Sequence, residues 1–425
     1  MRTWEPSSTA PAGSSGLEGG HDNNLTLTRA LICLMFFTFA MTSDAVGGVI
    51  PYVISEFNLT LKAAGAFHYV PMLAMAFGAM CFGFLADRLG RKRTIIIGLL
   101  LYGLGSLLFA VGQSFEFFVC LLAAAGLGIS IFKIGGLALV GDVSHSPASH
   151  TRLMNSAEGF FAVGSIVGPA VVALLLSAGL SWKWLYVIGA ALCLILIAIA
   201  TRVRDRRPAA SAHTASPSGT LRLLKDPYVL FFSSLITLYV AVEVAVYVWM
   251  PTYLRGYRGP HAWLTAYGLT LFFTLRAAGR FLAVWLLARC SWTVALAVFG
   301  LGILACFAGA MLGGLALGVW LLPLSGLFMS MIYPTLNSKG ISGYASSQHG
   351  AVAGIILSFT ALSAALGPLA MAAISDAYGD PKYGFLLATG FALLLGIGLC
   401  VNWWADPAGR RLQTADSRND CMVSE

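Results

Sequence analysis

Charge is what this chain has least of. Asp and Glu together number 18 in 425 residues, the four charged residue types make up 10% of the chain, and 58% of it is hydrophobic. Soluble domains carry about 25% charged residues, so composition alone excludes an ordinary water-soluble globule. Also missing are a nucleophile elbow, a Walker loop and any nucleotide-binding segment between the apolar runs. An enzyme is therefore not expected, and neither is a catalytic residue, a cofactor or ATP as energy source. The eight cysteines lie mostly inside apolar runs, with no metal-ligand spacing. Small buried hydrophobes are expected there, and no metal.

Long apolar segments fill the space that charge leaves. A helix of roughly 20 apolar residues spans a ~30 Å hydrocarbon core, and twelve such runs can be placed, the first at 31–53 and the last at 384–402. The expected fold is an all-α membrane protein of twelve transmembrane helices in two pseudo-symmetric six-helix bundles, 29–201 and 228–402. Between them RVRDRRPAASAHTASPSGTLRLLKDP, 202–227, reads as a cytoplasmic linker rich in Arg, Ser and Pro. Residues 1–28 contain no apolar core of a signal peptide and read as a disordered cytoplasmic tail, with a second tail at 403–425.

Basic residues set the orientation. Of the 26 Lys and Arg, five fall outside (Lys62, Lys183, Arg255, Arg258, Lys382), three fall within spans (Lys133, Arg276, Arg280) and the other eighteen fall on the cytoplasmic side if both termini do. The net charge of +8 thus reports topology, and nucleic acid is not an expected partner. The chain is expected in the cell inner membrane, multi-pass and monomeric.

Weak internal repetition supports two related halves. Asp44-AVGGVI-Pro51 in the first run parallels Glu243-VAVYVWM-Pro251 in the seventh, and Gly168-Pro169 in the fifth parallels Gly367-Pro368 in the eleventh. Small residues in GSIVGP and LSAALGPLAMAA let helices approach closely.

Between the second and third runs stands GFLADRLGRKR, 83–93. It closely resembles the loop signature of the major facilitator superfamily, with Gly83, Leu85, Asp87, Arg88, Gly90, Arg91 and Lys92 in place. The resemblance implies a gating loop in which Asp87 latches the halves through charge pairs at helix ends, Gly90 making the turn beside Arg88 and Arg91. The corresponding stretch of the other half, LLARCSWT, is degenerate. MNSAEGFFAVGSIVGP, YVAVEVAVYVWMPTY, LFFTLRAAGRF and GLFMSMIYPTLNSKGI loosely resemble the branch of fucose, glucose and galactose proton symporters. That branch implies a carboxylate on the first span, which Asp44 matches, and another on the fourth, where this chain has Lys133.

In the superfamily fold spans 1, 4, 7 and 10 line the central cavity, and Asp44, Lys133 and Glu243 lie on three of them. From ~1.5 Å of rise per residue, Asp44 and Glu243 sit at one level, about 20 and 22 Å from the cytoplasmic helix ends, with Lys133 lower at roughly 10 Å. A charge costs about 2.5–3.5 kcal/mol at a helix centre on insertion scales, so it persists where it faces protein or water. The bland reading is a buried network that pins the bundle. The functional one makes Asp44 and Glu243 proton-coupling groups, because a carboxylate held away from water is easier to protonate near neutrality. Lys133 then holds an anionic group of the substrate or pairs with a carboxylate. Arg276 is placed to meet Glu243, and Arg280 to snorkel toward the cytoplasm. Tyr247, Trp249 and Asn337, the last beside Tyr333 and Pro334, offer aromatic faces and an amide for substrate binding.

The expected function is secondary active transport of a small polar metabolite, a sugar or sugar-like solute, by proton symport through alternating access. The alternative is proton-coupled export of an anionic metabolite, a siderophore or other hydroxycarboxylate, or of a drug. Small-molecule substrate, protons and the lipid bilayer are the expected partners.

Overall fold

A computed structural model describes residues 15–82, 85–143, 147–203, 223, 225–287, 289–344, 349–406 and 409. Among them the regular structure is helical throughout. Ten helical stretches are long and apolar enough to cross a membrane.

The N-terminal helices are α1 (Ser15–Ser43), α2 (Val46–Phe57), α3 (Leu61–Ala64), α4 (Ala66–Phe82), α5 (Leu85–Arg88), α6 (Arg91–Leu107), α7 (Phe115–Val143), α8 (Pro147–Ser177) and α9 (Trp184–Arg202). The C-terminal helices are α10 (Pro227–Val244), α11 (Met250–Leu254), α12 (Trp263–Leu287), α13 (Trp292–Met329), α14 (Ile332–Ser342), α15 (His349–Tyr378) and α16 (Pro381–Ala405). Of the N-terminal tail expected at 1–28, residues 15–28 continue α1, since extending a helix adds one bond for each residue fixed once it is nucleated. Residues 1–14 and most of the 202–227 linker lie outside the described residues.

The 51-residue stretch Trp292–Ser342 is twice what a bilayer needs. It reverses at Gly314, whose φ of 59° is left-handed territory that glycine enters without a Cβ penalty. A Cβ added to Gly318 would lie 3.9 Å from that of Ala310; in a straight helix the rise between them is about 12 Å. The apolar α4 has 17 residues.

Both helices that carry the deep carboxylates are broken. Asp44 stands in the turn between α1 and α2, and Glu243 is followed by a π-turn, Ala245–Trp249, that joins α10 to α11. Proline weakens both stretches. Pro51 and Pro251 have no N–H, so the carbonyls one turn earlier, on Gly47 and Tyr247, lose their helical donors. Irregular backbone at membrane depth is tolerated where protein or water, and not lipid, surrounds it.

Small residues bring the helices of each set together. A Cβ on Gly164 or Gly168 would meet the carbonyl oxygens of Phe37 and Met41 at 2.3 and 2.1 Å, so α8 touches the backbone of α1. Between the two sets, α8 packs on α12 and α4 on α15.

Candidate functional site

A cavity of about 1010 Å³ lies between the two helical sets. Its deep wall holds Lys133 on α7, Ser165 on α8, Glu243 on α10 and Arg276 on α12. It runs to the end of the molecule where α12 stops and α13 starts, at Leu287 and Trp292, with Lys339 at its rim.

Helical spacing decides which side chains share it. Glu243 and Tyr247, Arg276 and Arg280, and Tyr333 and Asn337 are each four positions apart, hence on one face, and all six line the cavity. Trp249, two positions from Tyr247, points away. It is buried, its Nε1 donates to the Pro368 carbonyl at 3.1 Å, and its ring lies against Gly65. The structure therefore brings Lys133, Glu243, Tyr247 and Asn337 together and leaves Trp249 outside.

Arg276 forms an ion pair with Glu243, which is 7% exposed. Arg280, expected to reach the membrane surface, instead shares the cavity face of Arg276. Asp44 stands just behind the wall. Its carboxylate accepts from Ser165 Oγ at 2.5 Å and from Ser43 Oγ at 3.0 Å, and no ion pair reaches it among the described residues. Lys133 is held over the rings of Phe39 and Phe36, its Nζ 4.5 and 5.7 Å from their centroids. Sequence reading missed Ser165, hidden in a stretch rich in small residues, and Phe39, one apolar residue among many.

At the opposite end the two sets are bonded to each other. Arg255 donates to the Pro51 carbonyl at 2.8 Å and to Ser55 Oγ at 2.7 Å. The Asp376 carboxylate accepts from the backbone N–H groups of Leu61 and Lys62 at 2.9 and 2.8 Å. Nearer the floor of the cavity, which Tyr247 and Ala364 line, His68 Nε2 donates to the Ala364 carbonyl at 3.1 Å, and its ring meets Tyr247 edge-on. His68 was also missed, although a lone imidazole in an apolar run was its signal.

The closest approach at this end is Gly47, where an added Cβ would fall 1.8 Å from the Tyr247 carbonyl oxygen. Backbone cannot yield as a flexible side chain would. Gly47→Ala is thus expected to hold this end apart and to raise several-fold the thiol labelling of a cysteine placed at Thr252, whose hydroxyl is buried. Labelling equal to that of the parent would show that the seal tolerates the methyl.

In the gating loop, Gly90 has a φ of 86° at the start of α6, a conformation suited to glycine. Arg91 is buried, Arg88 ends α5, and Lys92 Nζ donates to the carbonyls of Thr201 and Val203, tying α6 to the end of α9. Gly83 and the side chain of Asp87 lie outside the described residues.

Comparison with known proteins places this architecture. The 3-(3-hydroxy-phenyl)propionate transporter of Escherichia coli K12 is 27% identical over 246 residues, 55% of this chain and 58% of that one. The chain spans from about a quarter to just over half of the length of the curated relatives it matches. A bacterial homologue of the human lysosomal transporter Spinster, solved in an inward-facing and occupied conformation, superposes with a TM-score of 0.73 at 13% identity, covering 95% of this chain and 99% of the other. The transporter FucP in the outward conformation gives 0.60 at 22% identity, covering 88% and 98%. The profile of the Major Facilitator Superfamily matches residues 32–368, and the chain belongs to that family of membrane transporters, which are not enzymes.

Proposed function

We propose that this protein crosses the inner membrane twelve times, with both termini cytoplasmic, and moves a small organic solute together with protons by alternating access. One observation carries the reading: a single cavity reaches the level of two deep carboxylates, runs to one end of the molecule, and is closed at the other by bonds between the two helical sets. Twelve crossings follow if the ten long stretches are counted with the Gly314 reversal splitting one and α4 added. By the alternation of crossings and the bias of basic residues, the cavity then opens to the cytoplasm.

Asp44 is the proton carrier in this reading. Its partners are two neutral hydroxyls that remain useful whether the carboxyl is charged or not. Glu243 is engaged by Arg276, so protonating it would strand a buried cation. The latch role of Asp87 and a sugar as solute rest on the family resemblance alone.

Uptake into proteoliposomes tests the proposal. Accumulation of solute should follow an imposed pH gradient and collapse with a protonophore. Cysteine at Asn337 should be labelled from the cytoplasmic face in the resting protein. Accumulation that survives the protonophore, or labelling only from outside, would overturn it.

A further inference from the structure

The cavity holds more positive charge than its own carboxylates can balance. Four cations line it, Lys133, Arg276, Arg280 and Lys339, against Glu158 and Glu243, a formal excess of two positive charges. These groups differ in how far they are committed. Arg276 is taken by Glu243, and Lys339 lies over the Trp292 ring at the rim. Lys133 and Arg280 form no hydrogen bond or ion pair among the described residues; Lys133 touches only the faces of Phe36 and Phe39. Glu158 shares the cavity with both and is one negative charge for the two of them; charge inside a membrane protein is costly unless it is balanced, so the cation left over is a place for an anion.

The walls indicate the rest of the ligand. Phe39, Phe161, Tyr247, Phe273 and Tyr333 line the same space. Of the neutral hydrogen-bonding side chains in the lining, Ser165 donates to Asp44 and Thr360 to the Ile356 carbonyl, while Thr335, Asn337 and Ser338 lie on α14 within about a turn of Lys339 at the rim. A neutral sugar needs a partner for most of its hydroxyls, because each buried polar group left unpaired costs about 1–3 kcal/mol. Five aromatic rings and two uncommitted cations suit a carboxylate on an apolar or aromatic body instead.

We infer that the transported solute is an organic carboxylate with an apolar body, its charge held between Lys133 of the N-terminal helices and Arg280 of the C-terminal helices. This rests on the transporter reading above and adds the substrate class. The two cations belong to different halves. A carboxylate bridging them draws the halves together at the open end, coupling occupancy to closure. The Arg276–Glu243 pair beside it stays internal to the C-terminal helices.

Binding to the purified full-length protein tests this independently of any gradient. Titration calorimetry with phenylacetate, its neutral counterpart phenylacetamide, glucuronate and glucose separates charge from body. Phenylacetate is expected to bind best. Lys133→Gln and Arg280→Gln should each weaken it about ten- to a hundredfold, the weight of one charge-assisted hydrogen bond, and leave phenylacetamide unchanged. Lys133→Arg should retain most of the affinity, which guards against reading a folding defect as lost binding. Glucose or phenylacetamide binding as tightly as phenylacetate, equal loss for charged and neutral ligands in the variants, or no binding of either carboxylate at millimolar concentration would overturn the assignment. Gradient-driven uptake of a neutral solute alongside those results would leave the transporter reading standing and remove only the substrate class.

Discussion

Replacing Asp44 by Asn is expected to abolish concentrative uptake altogether while leaving exchange of solute across the membrane intact. The amide keeps an acceptor oxygen for the hydroxyls of Ser43 and Ser165, and Ser165 Oγ already has a second acceptor in the Phe161 carbonyl, so the local bonding survives the change. What is lost is a group that can take up and release a proton. Coupling therefore disappears and binding does not. Counterflow in proteoliposomes beside uptake under a pH gradient measures the two separately. Undiminished accumulation by Asp44→Asn would exclude Asp44 as the carrier, and loss of both activities would mean that it supports binding instead.

The second large effect belongs to the ion pair. Glu243→Ala leaves the Arg276 guanidinium with no counter-charge between the helices, and breaking a buried pair on one side typically costs about 3–5 kcal/mol. The expected result is a marked fall in melting temperature and in the yield of folded protein. Replacing both partners by apolar groups of similar volume, as in Glu243→Leu with Arg276→Met, should restore most of that stability, because it removes the desolvated charge with its partner. Thermal unfolding in detergent reads both variants. Were the double variant no more stable than the single one, the pair would be doing something other than neutralising itself, and Glu243 would return as a candidate for the proton.

The deep site was legible in the sequence because charge in an apolar run is rare. Asp44, Lys133 and Glu243 stand out for that reason, and the pairing of Glu243 with Arg276 follows from their depth in neighbouring spans. The spacing of four between Arg276 and Arg280 also pointed to a shared face, but snorkelling was the easier reading for an arginine near a helix end. Trp249 was placed in the site although a spacing of two from Tyr247 turns it to the opposite side. Breaks in the helices were less visible. Pro51 and Pro251 marked weak points, yet whether a freed carbonyl produces a turn or a π-turn depends on neighbouring helices that periodicity does not describe. Gly314 is one of 47 glycines, and nothing local distinguishes the one that reverses the chain.

Closure of the cavity uses three side chains, Arg255, Asp376 and His68, and apart from the Arg255 bond to Ser55 Oγ the hydrogen bonds described for them go to main-chain atoms of the facing half: Pro51 O, Leu61 and Lys62 N–H, and Ala364 O. A carbonyl or an amide is present whatever residue carries it. The faces receiving the main-chain bonds can therefore drift in sequence without losing the lock, and mutational pressure falls mainly on the three donor and acceptor side chains, with Arg255 and Ser55 the one matched pair among the bonds described. Co-variation across this interface should be faint, and a lineage could remodel its cavity for a new cargo while inheriting the same closure.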